Sequence, residues 1–95
     1  MTAYAIFIKE KTRVPAEIEV YSGLAGATLN GHPAKVLAAY GKQECPEGAP
    51  SEGVVLLEFP SIAAAKAWYD GPGYRAAREH RFKGADYRVI FFEGL

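Results

Sequence analysis

This sequence has almost no cysteine and no excess of either positive or negative charge. Its 95 residues include one cysteine, Cys45, so no disulfide can form within the chain. Chains without disulfides are typical of the reducing cytosol, and we therefore expect a cytoplasmic protein. The 11 Lys and Arg are balanced by 11 Asp and Glu. Because this balance leaves no basic surface for nucleic acid or anionic lipid, neither is an expected partner.

Long apolar runs and cofactor motifs are missing as well. No run approaches the roughly 20 residues of a membrane span, and the start MTAYAIFIKEK lacks the features of a signal peptide. The chain also has no zinc-ligand spacing, phosphate-binding glycine loop or nucleophile elbow, so we expect neither a metal nor a cofactor. What is there, 49% hydrophobic and 23% charged residues, is typical of one globular domain over 1–95.

The order of predicted strands and helices indicates the fold. Apolar and alternating runs predict strands over 2–9, 35–40, 54–59 and 86–93. A helix is predicted over 15–29, and a second after Ser61, interrupted at Gly71-Pro72-Gly73 and closed at Lys83-Gly84. The resulting β-α-β-β-α-β order predicts an α+β, ferredoxin-like fold. This fold has a four-stranded antiparallel sheet with both helices on one face.

The second face of this sheet predicts how the chain assembles. Two helices cover only one face, so the other should be polar in a monomer. Both faces of the predicted strands are apolar instead. The alternating pairs are Ile6 and Phe7, Leu56 and Leu57, and Ile90 and Phe91. Because monomers rarely expose so much contiguous apolar surface, we expect a homodimer packed sheet against sheet, with a ligand or a second protein as the alternative cover.

The second helix carries the candidate catalytic residue, His80. Gly73, Ala76, Ala77 and His80 share one helical stripe, which is expected to face the sheet. Small residues on that stripe leave room for a ligand, and His80 would act there as a general base or hydrogen-bond donor. The alternative is a structural histidine that caps helix carbonyls or bonds a backbone group.

The candidate ligand-binding residues lie on the same helix. Arg78 and Arg81 belong to the dense basic run RAAREHRFK and could clamp a carboxylate or phosphate. Solvated charges near the helix C-terminus are the alternative interpretation. Trp68 and Tyr74 could line an apolar pocket, as could Tyr40, Tyr69 and Tyr87, although aromatic residues more often form core or interface. Because Trp68 shares a stripe with Ala64 and Ala65, we predict that it packs inward.

Several short runs together resemble a known family. They are Glu58-Phe59-Pro60-Ser61, Ala65 to Asp70, Pro72, Tyr74, Arg81 and Glu93-Gly94. This EFPS…AWYD…EG pattern resembles the family called domain of unknown function 1330 over nearly the whole chain, and REHRFKGADYR looks like one branch of it. Where many members carry Arg-Gly-Gly after the second strand, this chain has Ala39-Tyr40-Gly41. Where many have Ser-Pro-Glu-Tyr, it has Gly71-Pro72-Gly73-Tyr74.

The resemblance implies the dimeric α+β barrel fold but no single reaction. Relatives of that fold include metal-free oxygenases, isomerases and haem enzymes, and extending them to this chain is analogy at the level of fold. The first hypothesis is a metal-free isomerase or oxygenase for a small aromatic or acidic metabolite, with His80 as base, Arg78 or Arg81 as anchor, and Trp68 and Tyr74 as walls. The alternative is a non-catalytic dimeric module that binds such a molecule. Haem binding, for which no axial-ligand context is present, comes third.

Overall fold

The secondary-structure order matches the predicted pattern along the whole chain. The structure is a computed structural model that describes every residue from Met1 to Leu95. Its elements are β1 (Ala3–Thr12), α1 (Pro15–Ala25), a 3-10 turn (Gly26–Leu29), β2 (Lys35–Ala39), β3 (Gly53–Phe59), α2 (Ile62–Tyr69), α3 (Pro72–Gly84) and β4 (Ala85–Glu93). The predicted α+β, ferredoxin-like class is confirmed. None of the helices is both long and apolar enough to cross a membrane.

The strands form one antiparallel sheet in the order β2-β3-β1-β4. β1 is central, and its Phe7 lies between Val55 of β3 and Val89 of β4. These three side chains belong to one face, because neighbouring residues in register point the same way. β2 and β4 are the edges, and the helices pack over the face that carries Phe7.

Small residues on β1 and large residues around them build the core on the helix-covered face. Ala3 and Ala5 are fully buried and let the helices approach closely. Trp68 of α2 is 3% exposed, and its ring centroid lies 4.2 Å from that of Tyr74 on α3. Phe59 also packs against Trp68, with 5.7 Å between ring centroids. The prediction that Trp68 is a packing residue is therefore confirmed.

The break between α2 and α3 sets which side of α3 faces inward. Pro72 occupies the first turn of α3, where its missing N–H costs no helix hydrogen bond. After this restart the buried residues of α3 are Tyr74, Ala77, Arg81 and Gly84. The predicted stripe is thus wrong by about one residue: Ala77 is buried, but Gly73 and Ala76 are exposed. The Tyr74 ring buries far more apolar surface than Gly73 could, and its burial fixes the rotation of the helix.

The opposite face of the sheet has no helix over it, and apolar side chains occupy much of it. Ile90 and Phe92 of β4 are each 40% exposed there. Beside them on β1, Ile6 pairs with Ile90 and Tyr4 with Phe92. We call this surface the open face.

Candidate functional site

A cleft of about 330 Å³ opens between α1, the 3-10 turn and the β2–β3 side of the sheet. Its lining is mostly hydrophobic, and we call it the apolar cleft. Its walls are Phe7, Tyr21, Ser22, Ala25, Gly26, Leu29, Val36, Ala39, Tyr40, Val55, Leu57, Trp68 and Tyr74. No acidic, basic or histidine side chain is among them, so the cleft suits an uncharged group.

Small residues on α1 explain why the apolar cleft is open. Three of the five residues that α1 and the 3-10 turn present to it are small, namely Ser22, Ala25 and Gly26. A Cβ at Gly26 would meet no other atom within 4 Å, so space remains directly above this position. Across the gap Ala39 is equally small, and every residue of β2 is exposed. The helix layer therefore stops short of the β2 edge.

Two buried tyrosines form the inner wall of the apolar cleft. The hydroxyls of Tyr21 and Tyr74 are joined by a hydrogen bond of 2.7 Å. Burial raises the pKa of Tyr21 above its ordinary 10.0, and the neighbouring Tyr74 raises it further. Burial also raises the pKa of Tyr74, against the opposing effect of the Arg81 charge. Both phenols are therefore neutral near pH 7 and serve as hydrogen-bonding groups rather than bases.

Tyr40 covers the rim of the apolar cleft in an unusual backbone conformation. Its φ is 54°, in the left-handed region that residues with a side chain rarely adopt. The ring lies on Gly53, where an added Cβ would approach its Cε1 to 2.8 Å. The Tyr40 and Tyr87 hydroxyls are hydrogen-bonded at 2.7 Å. Tyr40 thus reaches across the sheet from the β2 edge to β4.

A second cleft, of about 400 Å³, lies on the β4 side between that strand and the ends of α2 and α3. We call it the arginine cleft. It is lined by Arg13, Tyr69, Arg81, Phe82, Ala85, Asp86, Tyr87 and Val89. Arg13 links the first residues of β4 to the end of α3. It donates hydrogen bonds to the Asp86 carboxylate at 2.8 Å and to the Phe82 carbonyl at 2.7 Å. The C-terminus of α3 is capped in this way.

Arg81 is the unusual residue of the arginine cleft. It is 3% exposed, and no carboxylate lies within 4.0 Å of it. Its Nη2 donates to the Tyr69 hydroxyl at 3.1 Å, whereas its buried Nε has no acceptor. The rings of Phe82 and Tyr87 lie 5.0 Å from its guanidinium carbon. These rings supply cation–π attraction but no counter-charge.

The structure separates the five predicted site residues. Trp68 and Tyr74 line the apolar cleft, and Arg81 lines the arginine cleft. Arg78 lines neither, because its Nη1 donates to the Tyr69 carbonyl at 3.0 Å and to the Asp70 carboxylate at 3.1 Å.

His80 also lies outside both clefts. It faces α1, and its Nδ1 and the Glu17 carboxylate are 2.7 Å apart. Since a carboxylate accepts, Nδ1–H donates, and Nε2 is then the basic nitrogen of the ring. The side chains of His80 and Glu17 are 33% and 31% exposed. The pair therefore sits on the seam between α1 and α3, and a catalytic role for His80 stays a prediction.

Sequence reasoning missed Tyr21 as a site residue, whereas Tyr40 and Tyr87 are among the aromatic residues that it predicts could line a pocket. Tyr21 had a signal, since it shares an apolar stripe with Ile18 and Ala25. The cleft itself also had a signal in three small residues, Ser22, Ala25 and Gly26, because small side chains on a helix leave space beside it. The sequence analysis applies this argument to the second helix only. The left-handed backbone of Tyr40 could not be predicted, because a positive φ outside glycine cannot be inferred from residue types. Nowhere do three His, Cys, Asp or Glu side chains come together as metal ligands do.

Solved structures with this fold come from several bacteria. The RPA0582 protein of Rhodopseudomonas palustris, of unknown function, is 20% identical over 99% of this chain and 82% of that chain, with a TM-score of 0.75. A dimeric ferredoxin-like protein of Thermobifida fusca, also of unknown function, is 17% identical over 97% and 90% of the two chains (TM-score 0.67). SnoaB of Streptomyces nogalater, a cofactor-independent oxygenase, is 14% identical over 99% and 91% (TM-score 0.58).

These likenesses establish the fold and leave the activity open, because all are below 25% identity. No curated protein matches the chain in sequence. The family model named domain of unknown function (DUF1330) matches residues 2–95, which include both clefts and the open face. The chain therefore belongs to the DUF1330 family.

Proposed function

We propose that this protein is a homodimer that binds a small, uncharged aromatic molecule in the apolar cleft. The observation that carries the proposal is the cleft itself, because a gap of about 330 Å³ with mostly hydrophobic walls is kept open beside a packed core. This volume is at the lower end of ligand pockets, which run from about 300 to 1,000 Å³, and suits one or two rings. The neutral Tyr21 and Tyr74 hydroxyls would orient a single polar group of the ligand.

Binding in the apolar cleft can be tested with the fluorescence of Trp68, the one tryptophan of the chain. Because Trp68 lines the cleft, a bound quencher is held against its indole. We expect nitrobenzene, a neutral aromatic quencher, to reduce the emission saturably and at far lower concentration than acrylamide does. A linear, collisional response to both quenchers would contradict the proposal.

Two glycines of the first helical region offer a matched pair of variants. Gly26 lines the apolar cleft and Gly23 does not, yet a Cβ at either would meet nothing within 4 Å. We expect Gly26→Leu to fill the cleft and abolish saturable quenching. Gly23→Leu should leave quenching unchanged while giving a similar gain in helix propensity. Equal binding by both variants would place the probe elsewhere.

The homodimer is supported by the open face and by relatives of the fold. Ile90 and Phe92 leave a broad apolar surface exposed in one chain, and covering it would contribute roughly 25 cal/mol per Å². The Thermobifida fusca protein described above is dimeric, as is a ferredoxin-like protein of Bacteroides fragilis. We propose that two copies pack open face to open face.

Sedimentation of two matched variants tests the dimer. Ile90, on the open face, is 40% exposed, and Val20, on the outer side of α1, is 45% exposed. We expect Ile90→Asp to yield a monomer or a poorly folded chain, because a charge would be buried between the subunits. Val20→Asp should remain dimeric. A wild-type chain that sediments as a monomer at micromolar concentration would overturn the proposal.

A second candidate function is metal-free catalysis of the oxygenase or isomerase type. The observation that favours it is the pairing of His80 with Glu17, since a carboxylate on Nδ1 orients an imidazole whose Nε2 can accept a proton. SnoaB shows that this fold can support cofactor-independent oxygenation. Loss of turnover in a folded His80→Ala variant, with nitrobenzene binding intact, would favour catalysis over binding alone.

A further inference from the structure

Arg81 is a buried cation that the chain itself does not neutralise. A carboxylate lies against Arg13 and another against Arg78, but none contacts Arg81. Its Nε is buried without an acceptor, and its Nη2 donates to a neutral group, the Tyr69 hydroxyl, rather than to an anion. Burying a charge is costly unless it is paired and hydrogen-bonded. A missing partner of negative charge is the simplest account of this arrangement.

The charges of the arginine cleft indicate how much negative charge it can accept. Arg13, Arg81 and Asp86 are its charged lining residues, so two positive charges and one negative charge leave a net charge of +1. Arg13 and Asp86 already neutralise each other at 2.8 Å. One negative charge therefore suffices beside Arg81, and a dianion would meet the Asp86 carboxylate in the same cleft.

The shape and the remaining walls indicate what should carry that charge. A guanidinium is a planar fork that matches the two oxygens of a carboxylate. Phe82, Tyr87 and Val89 provide apolar surface beside it, and the cleft holds about 400 Å³. This volume is separate from the apolar cleft, since the two share no lining residue.

We propose that the arginine cleft is a second site, which binds a small monocarboxylate through the Arg81 guanidinium and its apolar body against Tyr87 and Val89. The site does not depend on the function proposed for the apolar cleft. The two lie back to back, with Phe7 lining the apolar cleft while its ring lies 5.7 Å from the Arg81 guanidinium carbon.

Benzoate and benzamide are the probes that test this site, because they share one shape and differ by the charge. We expect benzoate to shift the NMR signals of the Arg81 Nε–H and of the Tyr87 and Val89 amides saturably. Benzamide should shift them at least about tenfold more weakly, since a hydrogen bond to a charged group contributes about 1.5–3 kcal/mol. Equal binding of the two probes, or no binding of benzoate, would overturn the proposal. Tighter binding of inorganic phosphate than of benzoate would overturn the carboxylate class.

Variants on α3 show whether Arg81 is responsible. Arg81→Met keeps the length of the side chain and should weaken benzoate binding at least about tenfold. Arg75→Met, on the exposed side of the same helix, should leave it unchanged. If the Met variant does not fold, Arg81→Gln is the substitute and carries the same expectation. Unchanged benzoate affinity in a folded Arg81 variant contradicts the site.

The two proposals fail in distinguishable ways. Benzoate in the apolar cleft would shift the methyl signals of Leu29 and Val36 and would be blocked in Gly26→Leu. Benzoate in the arginine cleft should leave the methyl signals of Leu29 and Val36 unshifted, and its affinity should be unchanged in Gly26→Leu.

Discussion

The apolar cleft and the arginine cleft lie on the same face of one sheet, at opposite edges, and they are open for different reasons. Over β2 the helix layer is too thin, because α1 presents Ser22 and Ala25, and the 3-10 turn Gly26, where larger residues would reach the strand. Over β4 the space lies between the strand and the ends of α2 and α3, beside a buried charge, Arg81, that lacks a counter-charge. An empty volume and an unpaired group are two independent signs of a binding site, and this molecule has one of each.

The largest expected change in stability comes from Trp68, in the packed wall of the apolar cleft. Trp68→Ala should cost about 3–5 kcal/mol of unfolding free energy, because a large buried ring is lost and its cavity stays partly open. Urea denaturation measures the change. Tyr69→Ala, on the partly buried wall of the arginine cleft, is the control and should cost less. A loss under about 1 kcal/mol for Trp68→Ala would mean that the wall is soft.

A substitution at Gly53 tests the packing of Tyr40 at the rim of the apolar cleft. An added methyl would collide with the Tyr40 ring, so Gly53→Ala should destabilise the fold by about 1–3 kcal/mol. In a Tyr40→Ala background the same substitution should cost far less, because the colliding ring is absent. A full double-mutant cycle measured in urea gives the coupling. Additive effects would show that Tyr40 does not rest on Gly53 in solution.

The two neutral phenols of the apolar cleft should make the stability of the protein depend on pH in the alkaline range. The pKa values of Tyr21 and Tyr74 are raised when folded, so above about pH 10 the unfolded chain loses protons that the folded chain keeps. Stability is therefore full below pH 10 and falls as the pH rises, by about 1.4 kcal/mol per pH unit for each such tyrosine. Urea denaturation over this range should show a shallower slope in Tyr21→Phe. Equal slopes would contradict the assignment.

The contact between His80 and Glu17, on the seam between α1 and α3, should contribute least to the free energy of unfolding. His80→Gln weakens a side-chain contact with Glu17 that is one-third exposed, and such exposed contacts typically contribute about 0.2–1 kcal/mol. Glu17→Gln should have a similar effect, and the double variant should cost little more than either single one. A loss of several kcal/mol would indicate that the pair is part of the core.

The fold could be predicted because its signals are local and mutually consistent. Apolar runs, Ser61 as a cap and Pro15 as a helix start each fix an element where it occurs. The rotation of α3 could not be predicted, because Gly71 and Pro72 restart the helix and only packing decides that Tyr74 turns inward. Arg81 was a candidate from the basic run alone. Its burial without a counter-charge depends on Tyr69, Phe82 and Tyr87 and is visible only in three dimensions.

The position of β1 at the centre of the sheet has a consequence for how the chain folds. β1 begins at Ala3 and pairs with β3, which begins at Gly53, and with β4, which begins at Ala85. Its hydrogen bonds therefore close long loops, and folds dominated by such distant pairings form slowly. During synthesis β1 has no strand partner until β3 has left the ribosome. Because β4 is also a wall of the arginine cleft, the formation of that cleft depends on this distant pairing.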